Sequence, residues 1–517
     1  MAIQEKLVSC SSAEFSPQKL LDRIETLETA LYELRLQQLP AQRGGADYLK
    51  MIRHLRQTVR QHLPAEASVI VVSKGDDELL QLHGRRGEHF PQNSRGGYAG
   101  FYPSGSLSAI AQLESLRYRG ADYLLFPATA LWWREKYPEF YRHLERRYRL
   151  VVEDREACAI FSLRQPSPWH RLDDVLIQCR ARLGREPVLL DWDTGCDLAK
   201  VFSDCVVFSP PQPGVSLPYL DKTIDLVALK APHPTAEAEA KRVAAQGVIK
   251  FQIGPNERFE MQAQWQQEAG TGGLPTTSIL IPWDDATDGG CLAAVLETLP
   301  VNFQGEILLV EASEGGKLNP QHRPLFPSPF PVKTVRVPCS PETGWPSRAT
   351  SAARAATSEI LVFLSSEVLP LPGWLPALLQ VFASHPKAGV IGSRLLQPDG
   401  QLQEAGGLVQ ADGSYASFGA GDFDADAAKY NFVRVVDFCS GALLATRRTL
   451  FEENGGFAIT TDNGCGADAD YCARLRERGW RVYYQPASSA VCLETTLTPP
   501  AAAGAETAGN GEATTHE

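Results

Sequence analysis

The 517-residue chain contains no run of 18 or more apolar residues, the length that a membrane-spanning helix requires. It has no surplus of positive charge, because 50 Lys and Arg residues stand against 61 Asp and Glu residues. Its 11 cysteines are scattered without a CxxC pair, and no signal peptide is apparent. We therefore expect no membrane span and no nucleic-acid partner, reduced thiols and a cytoplasmic location, with any membrane contact peripheral at the inner face.

The length and the hydrophobic content of 44% are sufficient for several buried cores and suggest about three domains. The predicted fold class is α/β and multidomain. The predicted divisions are 1–64 (N-terminal helices), 65–165 (a small α/β domain), 170–255 (a Rossmann-like domain), 256–275 (a Gly- and Thr-rich linker), 276–495 (the C-terminal domain) and 496–517 (a disordered tail).

The most informative stretch runs from Phe438 to Glu494. A small-residue segment is followed by a Gly-Gly-Phe turn, and then by Asp468 and Asp470 where a helix is predicted to begin. The helix prediction rests on apolar residues at three-to-four spacing, on basic residues late in the segment and on Gly479 as its terminator. An aspartate at such a place is a candidate general base.

Apolar runs upstream predict three strands at Ser278 to Pro282, Glu306 to Val310 and Ile360 to Leu364. Pro398-Asp399-Gly400, with Ala405-Gly406-Gly407, predicts a hairpin. The order of these motifs closely resembles the catalytic domain of family-2 glycosyltransferases, in particular a bacterial surface-polysaccharide branch. The resemblance implies a GT-A (nucleotide-diphospho-sugar transferase) fold for residues 276–495.

The same resemblance implies the chemistry. A nucleotide-diphospho-sugar would lie across the carboxyl ends of the parallel strands, Mg or Mn would hold its diphosphate, and a carboxylate would deprotonate the acceptor hydroxyl. It makes Asp468 the catalytic base. By the same resemblance, nucleotide-sugar contacts are expected at Pro282, Asp284, Glu311, Arg348 and Ser366, acceptor-side contacts at Gly441 and Asp470, and metal ligands at Glu367 and Ser365.

The residue types leave simpler alternatives open. Asp468 also suits the first turn of a helix as an acid, Glu367 suits an exposed strand end, and Arg348 suits a solvated helix face. Asp284 and its neighbour Asp285 suit a turn. The sequence also departs from the family pattern: Ser365 is a weak ligand, and Ala467 and Cys492 stand where the family has Glu and His.

Two N-terminal features are distinct from this domain. Leu20, Ile24, Leu27, Leu31 and Leu34 repeat at four-three spacing, which predicts either a short coiled coil, and hence a homodimer, or a helix packed on its own domain. A second helix follows, with Tyr48, Met51, Ile52, Leu55 and Val59 on one face.

Residues 65–165 resemble an accessory α/β domain found beside bacterial family-2 glycosyltransferases, with strands predicted at Ser68 to Ser73, Tyr123 to Phe126 and Cys158 to Leu163. The next domain resembles the nucleotide-binding half of a methyltransferase. Asp193 and Asp197 stand where that family places glycines, with Gly195 between them, so we expect no S-adenosylmethionine binding.

Three functions remain open from the sequence. The first is inverting sugar transfer from a nucleotide-diphospho-sugar to a hydroxyl of a glycan, lipid-linked or protein acceptor, in surface-polysaccharide or glycan synthesis. The second is a catalytically weak relative that serves as a binding or assembly subunit. The third, methyl transfer by the middle domain, is the least favoured of the three.

Overall fold

The computed structural model describes residues 45–93, 95–210, 217, 219–230, 234–253, 259–265, 274–283, 289–300, 302–312, 330–337, 344–458 and 466–493. The predicted coiled-coil seam, Asp284, Asp285 and the predicted tail lie outside these residues.

The first domain is a six-stranded mixed sheet with the strand order β2-β3-β1-β4-β6-β5. Its elements are α1 (Gly45–His62), β1 (Ser68–Val71), β2 (Gln81–Leu82), β3 (Arg85–His89), α2 (Ser106–Tyr118), β4 (Tyr123–Pro127), α3 (Trp133–Lys136), α4 (Pro138–Arg147), β5 (Tyr148–Asp154) and β6 (Cys158–Pro166). Helix α1 buries Ile52, Leu55 and Val59 against β1, so it belongs to this domain's core. The strand β5, which the sequence analysis did not predict, is an edge strand that pairs with β6 alone.

The middle domain is a five-stranded sheet with the order β11-β10-β9-β7-β8. Its elements are α5 (His170–Leu183), β7 (Val188–Trp192), α6 (Leu198–Val201), β8 (Val206–Phe208), β9 (Ile224–Lys230), α7 (Pro234–Val243), β10 (Ala244–Ile253) and β11 (Phe259–Trp265). The last strand corrects the predicted linker, which began at residue 256. Residues 259–265 pair antiparallel with β10, so the sheet continues to Trp265.

The C-terminal domain contains a ten-stranded mixed sheet in which β14-β13-β12-β15-β22-β17-β23-β16 are successive neighbours, with β18 beside β17 and β21 beside β23. Its strands are β12 (Thr277–Pro282), β13 (Gly305–Ala312), β14 (Val332–Val337), β15 (Ile360–Leu364), β16 (Val368–Pro370), β17 (Ala388–Leu396), β18 (Leu402–Glu404), β19 (Gly407–Val409), β20 (Tyr415–Ser417), β21 (Arg434–Val436), β22 (Leu443–Arg447) and β23 (Arg481–Cys492). Its helices are α8 (Gly290–Thr298), α9 (Trp345–Ala353), α10 (Trp374–Ser384), α11 (Arg448–Glu453) and α12 (Ala467–Glu477). The three strands predicted upstream correspond to β12, β13 and β15.

Apolar side chains on both faces bury this sheet. Leu280, Leu308 and Phe363 pack into one core cluster, while Ile279 and Ile307 pack into the cluster on the other face. Parallel strands covered on both faces are continuous apolar runs in sequence, and this explains why the sequence located them well.

The first domain packs directly on the C-terminal domain through α2. The Gln112 amide donates to the Asp399 carbonyl at 2.7 Å, and the Leu107 amide donates to the Asp426 carboxylate at 3.0 Å. The contact is close at Gly400, whose φ is +83° and where an added Cβ would lie 2.2 Å from the Ser108 hydroxyl oxygen. Only glycine fits both the backbone and the space at that position.

Candidate active site

The carboxyl ends of three neighbouring parallel strands form one edge of the C-terminal sheet. Pro282 at the end of β12 lies opposite Val310 of β13, and Leu280 lies opposite Phe363 of β15. Ser365 follows Phe363 by two residues, just after β15 ends, so continuing this register places it beside Pro282. This edge is the usual ligand site of an open α/β sheet, and Pro282 and Ser365 both lie at it.

The candidate base is held against this edge by the backbone. The Ser365 amide donates to the Ala442 carbonyl at 2.9 Å, and the adjacent Gly441 amide donates to Oδ2 of Asp468 at 2.7 Å. Oδ1 of Asp468 accepts from the Ala469 amide at 2.8 Å. The Gly441 contact joins residues 27 positions apart, so Asp468 does more than favour the start of α12.

Asp468 is partly buried, and its environment favours the protonated form of the carboxyl more than bulk water would. Burial raises the pKa of Asp468 above its ordinary value, while hydrogen bonds from the Gly441 and Ala469 amides lower it. A carboxylate has about four acceptor sites, and three backbone amides, those of Gly441, Ala469 and Asp468 itself, act on this one, which leaves a site for a substrate hydroxyl. The group can therefore take a proton from an acceptor alcohol.

The predicted metal ligands follow β15, with the partly exposed Ser366 between them. The Ser365 hydroxyl accepts from the Glu367 amide at 3.3 Å. Across the sheet, Cys492 pairs with Val368, and the Leu493 amide donates to the Glu367 carbonyl at 2.8 Å. Cys492 therefore lies beside the motif, as the family pattern implies.

These donors do not make a complete site for Mg or Mn. Burial raises the pKa of Cys492, which keeps it a neutral thiol, and thiols suit softer metals. Among the described residues of this motif, Glu367 is then the one that carries a carboxylate. Among the described residues, no group of three or more His, Cys, Asp or Glu side chains is arranged to hold a metal ion.

Two predicted nucleotide contacts lie on neighbouring elements. Glu311 is near the end of β13, and its carboxylate is 3.4 Å from the Nε of Arg336 on β14. Arg348 is on α9, which packs over β12 to β14, and its Nε is buried without a hydrogen-bond partner in the part of the chain that the structure describes. A buried donor without a partner is unusual in a folded protein.

The predicted acceptor-side residues differ in their contacts. Gly441 touches Asp468 through its amide, as described above. Asp470 turns away from that contact and accepts from the Nε of Arg474 at 2.8 Å, one helical turn later. Arg474 also donates to the Gly456 carbonyl at 2.7 Å, which fixes the Gly-Gly-Phe turn against α12. The observed role of Asp470 is thus an ion pair within the helix.

Sequence reasoning missed one carboxyl group of this region, Glu404. It ends β18 with 5% of its surface exposed, and its Oε1 accepts from the Ser440 amide at 2.9 Å. Its Oε2 accepts from the Ser417 hydroxyl at 3.0 Å. Burial raises the pKa of Glu404 to about 7, and the charge of Asp468 adds to this effect. The sequence signal for this residue was its position, because Glu404 directly precedes the Ala-Gly-Gly segment of the predicted hairpin.

Comparison with known proteins identifies the C-terminal part of the chain. Residues 327–507 match the family described as "Glycosyltransferase like family 2". This region is a family-2 glycosyltransferase domain. The match begins after β13 and confirms the predicted resemblance for the C-terminal region, while the boundary near residue 276 remains a prediction.

Relatives of known name match parts of the chain. The O-antigen biosynthesis protein RfbC of Myxococcus xanthus is 27% identical over 218 residues, which are 41% of this chain and 16% of that protein. The pre-mycofactocin glycosyltransferase of Mycobacterium tuberculosis is 27% identical over 147 residues, 28% of this chain and 29% of that protein. The chain thus spans less than a third of the length of each.

Solved structures are more distant. The crystal structure of GalNAc-T7 with UDP, GalNAc and Mn2+ matches 44% of this chain and 45% of its own chain, with 14% identity and a TM-score of 0.34. A likeness of this strength adds no argument about the transferase domain. No helix among the described residues is long and apolar enough to cross a membrane.

Proposed function

We propose that the chain transfers a sugar from a nucleoside-diphospho-sugar to a hydroxyl of a glycan, a lipid-linked acceptor or a protein, with inversion at the anomeric carbon. The observation that carries this proposal is the position of Asp468, whose carboxylate is held by the Gly441 amide beside the carboxyl edge of the parallel strands. The family assignment of this domain supports it.

In the proposed reaction, the donor lies across the ends of β12, β13 and β15. Asp468 accepts the proton of the acceptor hydroxyl as its oxygen attacks the anomeric carbon. The bond from that carbon to the diphosphate oxygen breaks, and the nucleoside diphosphate leaves with the electron pair. One displacement from the opposite face inverts the anomeric configuration. The positive charge of Arg348, on the helix α9 that packs over β12 and β13, is suited to the charge on the leaving diphosphate.

A test of the base is Asp468→Asn. The asparagine oxygen still accepts from the Gly441 amide, whereas its nitrogen cannot accept from the Ala469 amide. We expect a small loss of stability, with the fold and donor binding retained. Loss of the general base should lower transfer by about a hundredfold or more. Asp47→Asn is the matched control, because Asp47 is in the first turn of α1 and its side chain is 81% exposed. Unchanged transfer in Asp468→Asn would remove this residue from the mechanism.

Donor binding is tested by calorimetry with UDP, GDP and dTDP, each with and without Mn. Glu367→Ala should weaken nucleotide binding by roughly tenfold, about 1.5 kcal/mol, if Glu367 contributes a charged contact. The exposed Glu453 provides the matched control, Glu453→Ala. The participation of Mg or Mn stays a prediction, and dependence of binding on Mn is its direct measurement.

The second candidate function is a binding or assembly subunit. The incomplete donor set around Glu367 favours it, because Ser365, Ala467 and Cys492 replace residues that the family uses. No nucleotide binding at millimolar concentration, with or without metal, would support this candidate and contradict the enzyme.

The middle domain is proposed to be structural. Asp197 caps α6 by accepting from the Lys200 amide, and Asp193 has a φ of +55° in the same loop. Side chains at these positions occupy space that a cofactor requires next to a glycine backbone. Micromolar binding of S-adenosylmethionine in a thermal-shift assay would contradict this view.

A further inference from the structure

Two carboxyl groups from different elements hold consecutive backbone amides just before β22. Glu404 of β18 accepts from the Ser440 amide at 2.9 Å, and Asp468 of α12 accepts from the Gly441 amide at 2.7 Å. One peptide segment therefore connects a buried acid with the candidate base. The residue that Glu404 holds is the immediate neighbour of the residue that orients Asp468.

The surroundings of Glu404 contain an acid and three thiols, and the guanidinium of Arg434 lies at the carbonyl of the next residue, Ala405. Facing it are Asp468 and Cys472 of α12, Cys439 before β22 and Cys492 at the end of β23. No Lys, Arg or His side chain in the described part of the chain forms an ion pair with Glu404. A buried carboxylate without a cation is costly, so this environment favours the protonated acid.

The hydrogen bonds of Glu404 are compatible with either form. The Ser440 amide donates to Oε1 in both. The Ser417 hydroxyl can donate to a carboxylate or accept from a carboxylic acid, because a hydroxyl has one donor and two acceptor sites. Glu404 can therefore exchange its proton without leaving a buried polar atom unsatisfied.

We propose that Glu404 is a positioning residue of the transferase site, a proton-holding carboxyl that fixes the Ser440–Gly441 segment and is electrostatically coupled to Asp468. Glu404 acts through the backbone and does not touch substrate. A proton on Glu404 keeps the two neighbouring acids from being charged together, which leaves Asp468 as the carboxylate that can act as the base. The catalytic consequence rests on the proposed function, whereas the coupling itself does not.

The coupling is tested in the full-length protein without substrate, by carbon-13 NMR of labelled glutamate carboxyls. The resonance that is present in the wild type and absent in Glu404→Gln is assigned to Glu404. Glu404 should titrate near pH 7 in the wild type, following its pKa of about 7. In Asp468→Asn it should titrate at least about half a unit lower, because a like charge is removed. Asp47→Asn should leave the titration unchanged.

Two outcomes of this titration would overturn the proposal. One is a Glu404 resonance that titrates in the ordinary range of glutamate in the wild type. The other is the same titration in Asp468→Asn as in the wild type. Neither outcome depends on transfer activity, so a failed coupling is distinguished from a failed assignment of function.

The positioning role is tested by transfer kinetics. Glu404→Gln keeps an oxygen for the Ser440 amide and should retain kcat within about threefold. Glu404→Ala removes that acceptor and should lower kcat by about tenfold or more, with the donor KM within about twofold. Equal kcat values for Glu404→Ala and the wild type would contradict the role. If Glu404→Ala does not fold, the NMR titration still decides the proposal.

Discussion

Replacing Glu306 by glutamine should make the free energy of unfolding of the transferase domain less dependent on pH in the acidic range. Glu306 is on β13, is 3% exposed and accepts from three partners. The Ser278 hydroxyl donates at 2.9 Å, the Lys333 ammonium at 2.6 Å, and Thr357 donates twice, through its amide at 2.9 Å and its hydroxyl at 2.8 Å. Burial raises the pKa of Glu306, but these bonds outweigh burial and bring it down to about 2.

The magnitude follows from that shift. A carboxyl that falls from its ordinary pKa of 4.5 to about 2 in the folded state is stabilised by about 3 kcal/mol as the anion, since one unit corresponds to about 1.4 kcal/mol. Screening of the half-exposed Lys333 reduces this to roughly 2–3 kcal/mol. Because the folded pKa is depressed, the stabilisation is present above about pH 4.5 and is lost as the pH falls towards 2.

The assay is urea unfolding of wild type and Glu306→Gln at pH 7, 5, 4 and 3, followed by circular dichroism and tryptophan fluorescence. The difference between the two proteins at each pH isolates this group, because other titrating groups are shared. The difference should be roughly 2–3 kcal/mol at pH 7 and about half of that at pH 3. The control is Glu359→Gln, because Glu359 is an exposed acid directly before β15. A difference that stays constant with pH would refute the reasoning.

Three further outcomes test other parts of the domain. Glu404 has a raised pKa of about 7, so its contribution to the free energy of unfolding has the opposite pH dependence to that of Glu306. This contribution is present below about pH 4.5 and is lost as the pH rises through 7. In the same urea assay, the stability of Glu404→Gln should therefore rise by about 3 kcal/mol relative to wild type between pH 4.5 and 7. Gly407→Ala places a Cβ 2.2 Å from the Phe438 ring and should destabilise the domain by about 1–3 kcal/mol in thermal unfolding. Arg474→Ala removes the bonds that hold the Gly-Gly-Phe turn and should cost about 1.5–3 kcal/mol, whereas the exposed Arg478→Ala should cost little.

The sequence predicted those parts of the transferase domain whose signal is local. The strand β15 is an unbroken apolar run from Ile360 to Leu364, and the structure has it at the predicted bounds. The helix α12 begins one residue before Asp468 and is followed by Gly479, whose φ is +83°. The helix α12 satisfies its backbone hydrogen bonds internally, and the strand β15 buries both of its faces. In both cases the signal lies in neighbouring residues of the sequence.

Two elements outside that domain were missed for different reasons. The edge strand β5 has a half-exposed pattern that is weak as a strand signal. In β11 the signal was present, because Phe259, Met261, Ala263 and Trp265 alternate with polar residues, but the Gly-rich segment that follows favoured a linker.

The role of Glu404 could not be obtained from local sequence. Its partners Ser417 and Ser440 are 13 and 36 positions away, and its coupling to Asp468 arises only when β18 and α12 meet just before β22. The hairpin motif located the segment, but burial and like charge are properties of the packed domain. Asp468 was found because the family pattern marks it, and its bond to Gly441 was again a tertiary feature.

The substitutions at the site alter side chains and leave the backbone frame intact. The Ser365 amide still reaches the Ala442 carbonyl, and Cys492 still pairs with Val368. Neither contact uses the side chain that the family would place there, so the frame that orients Asp468 is independent of the metal ligands. Base and metal contributions are therefore separable by experiment. The loss of transfer activity on adding EDTA measures the metal contribution, and the loss in Asp468→Asn measures the contribution of the base. Because the backbone is intact and the metal donors are few, we expect a much larger loss of transfer in Asp468→Asn than with EDTA.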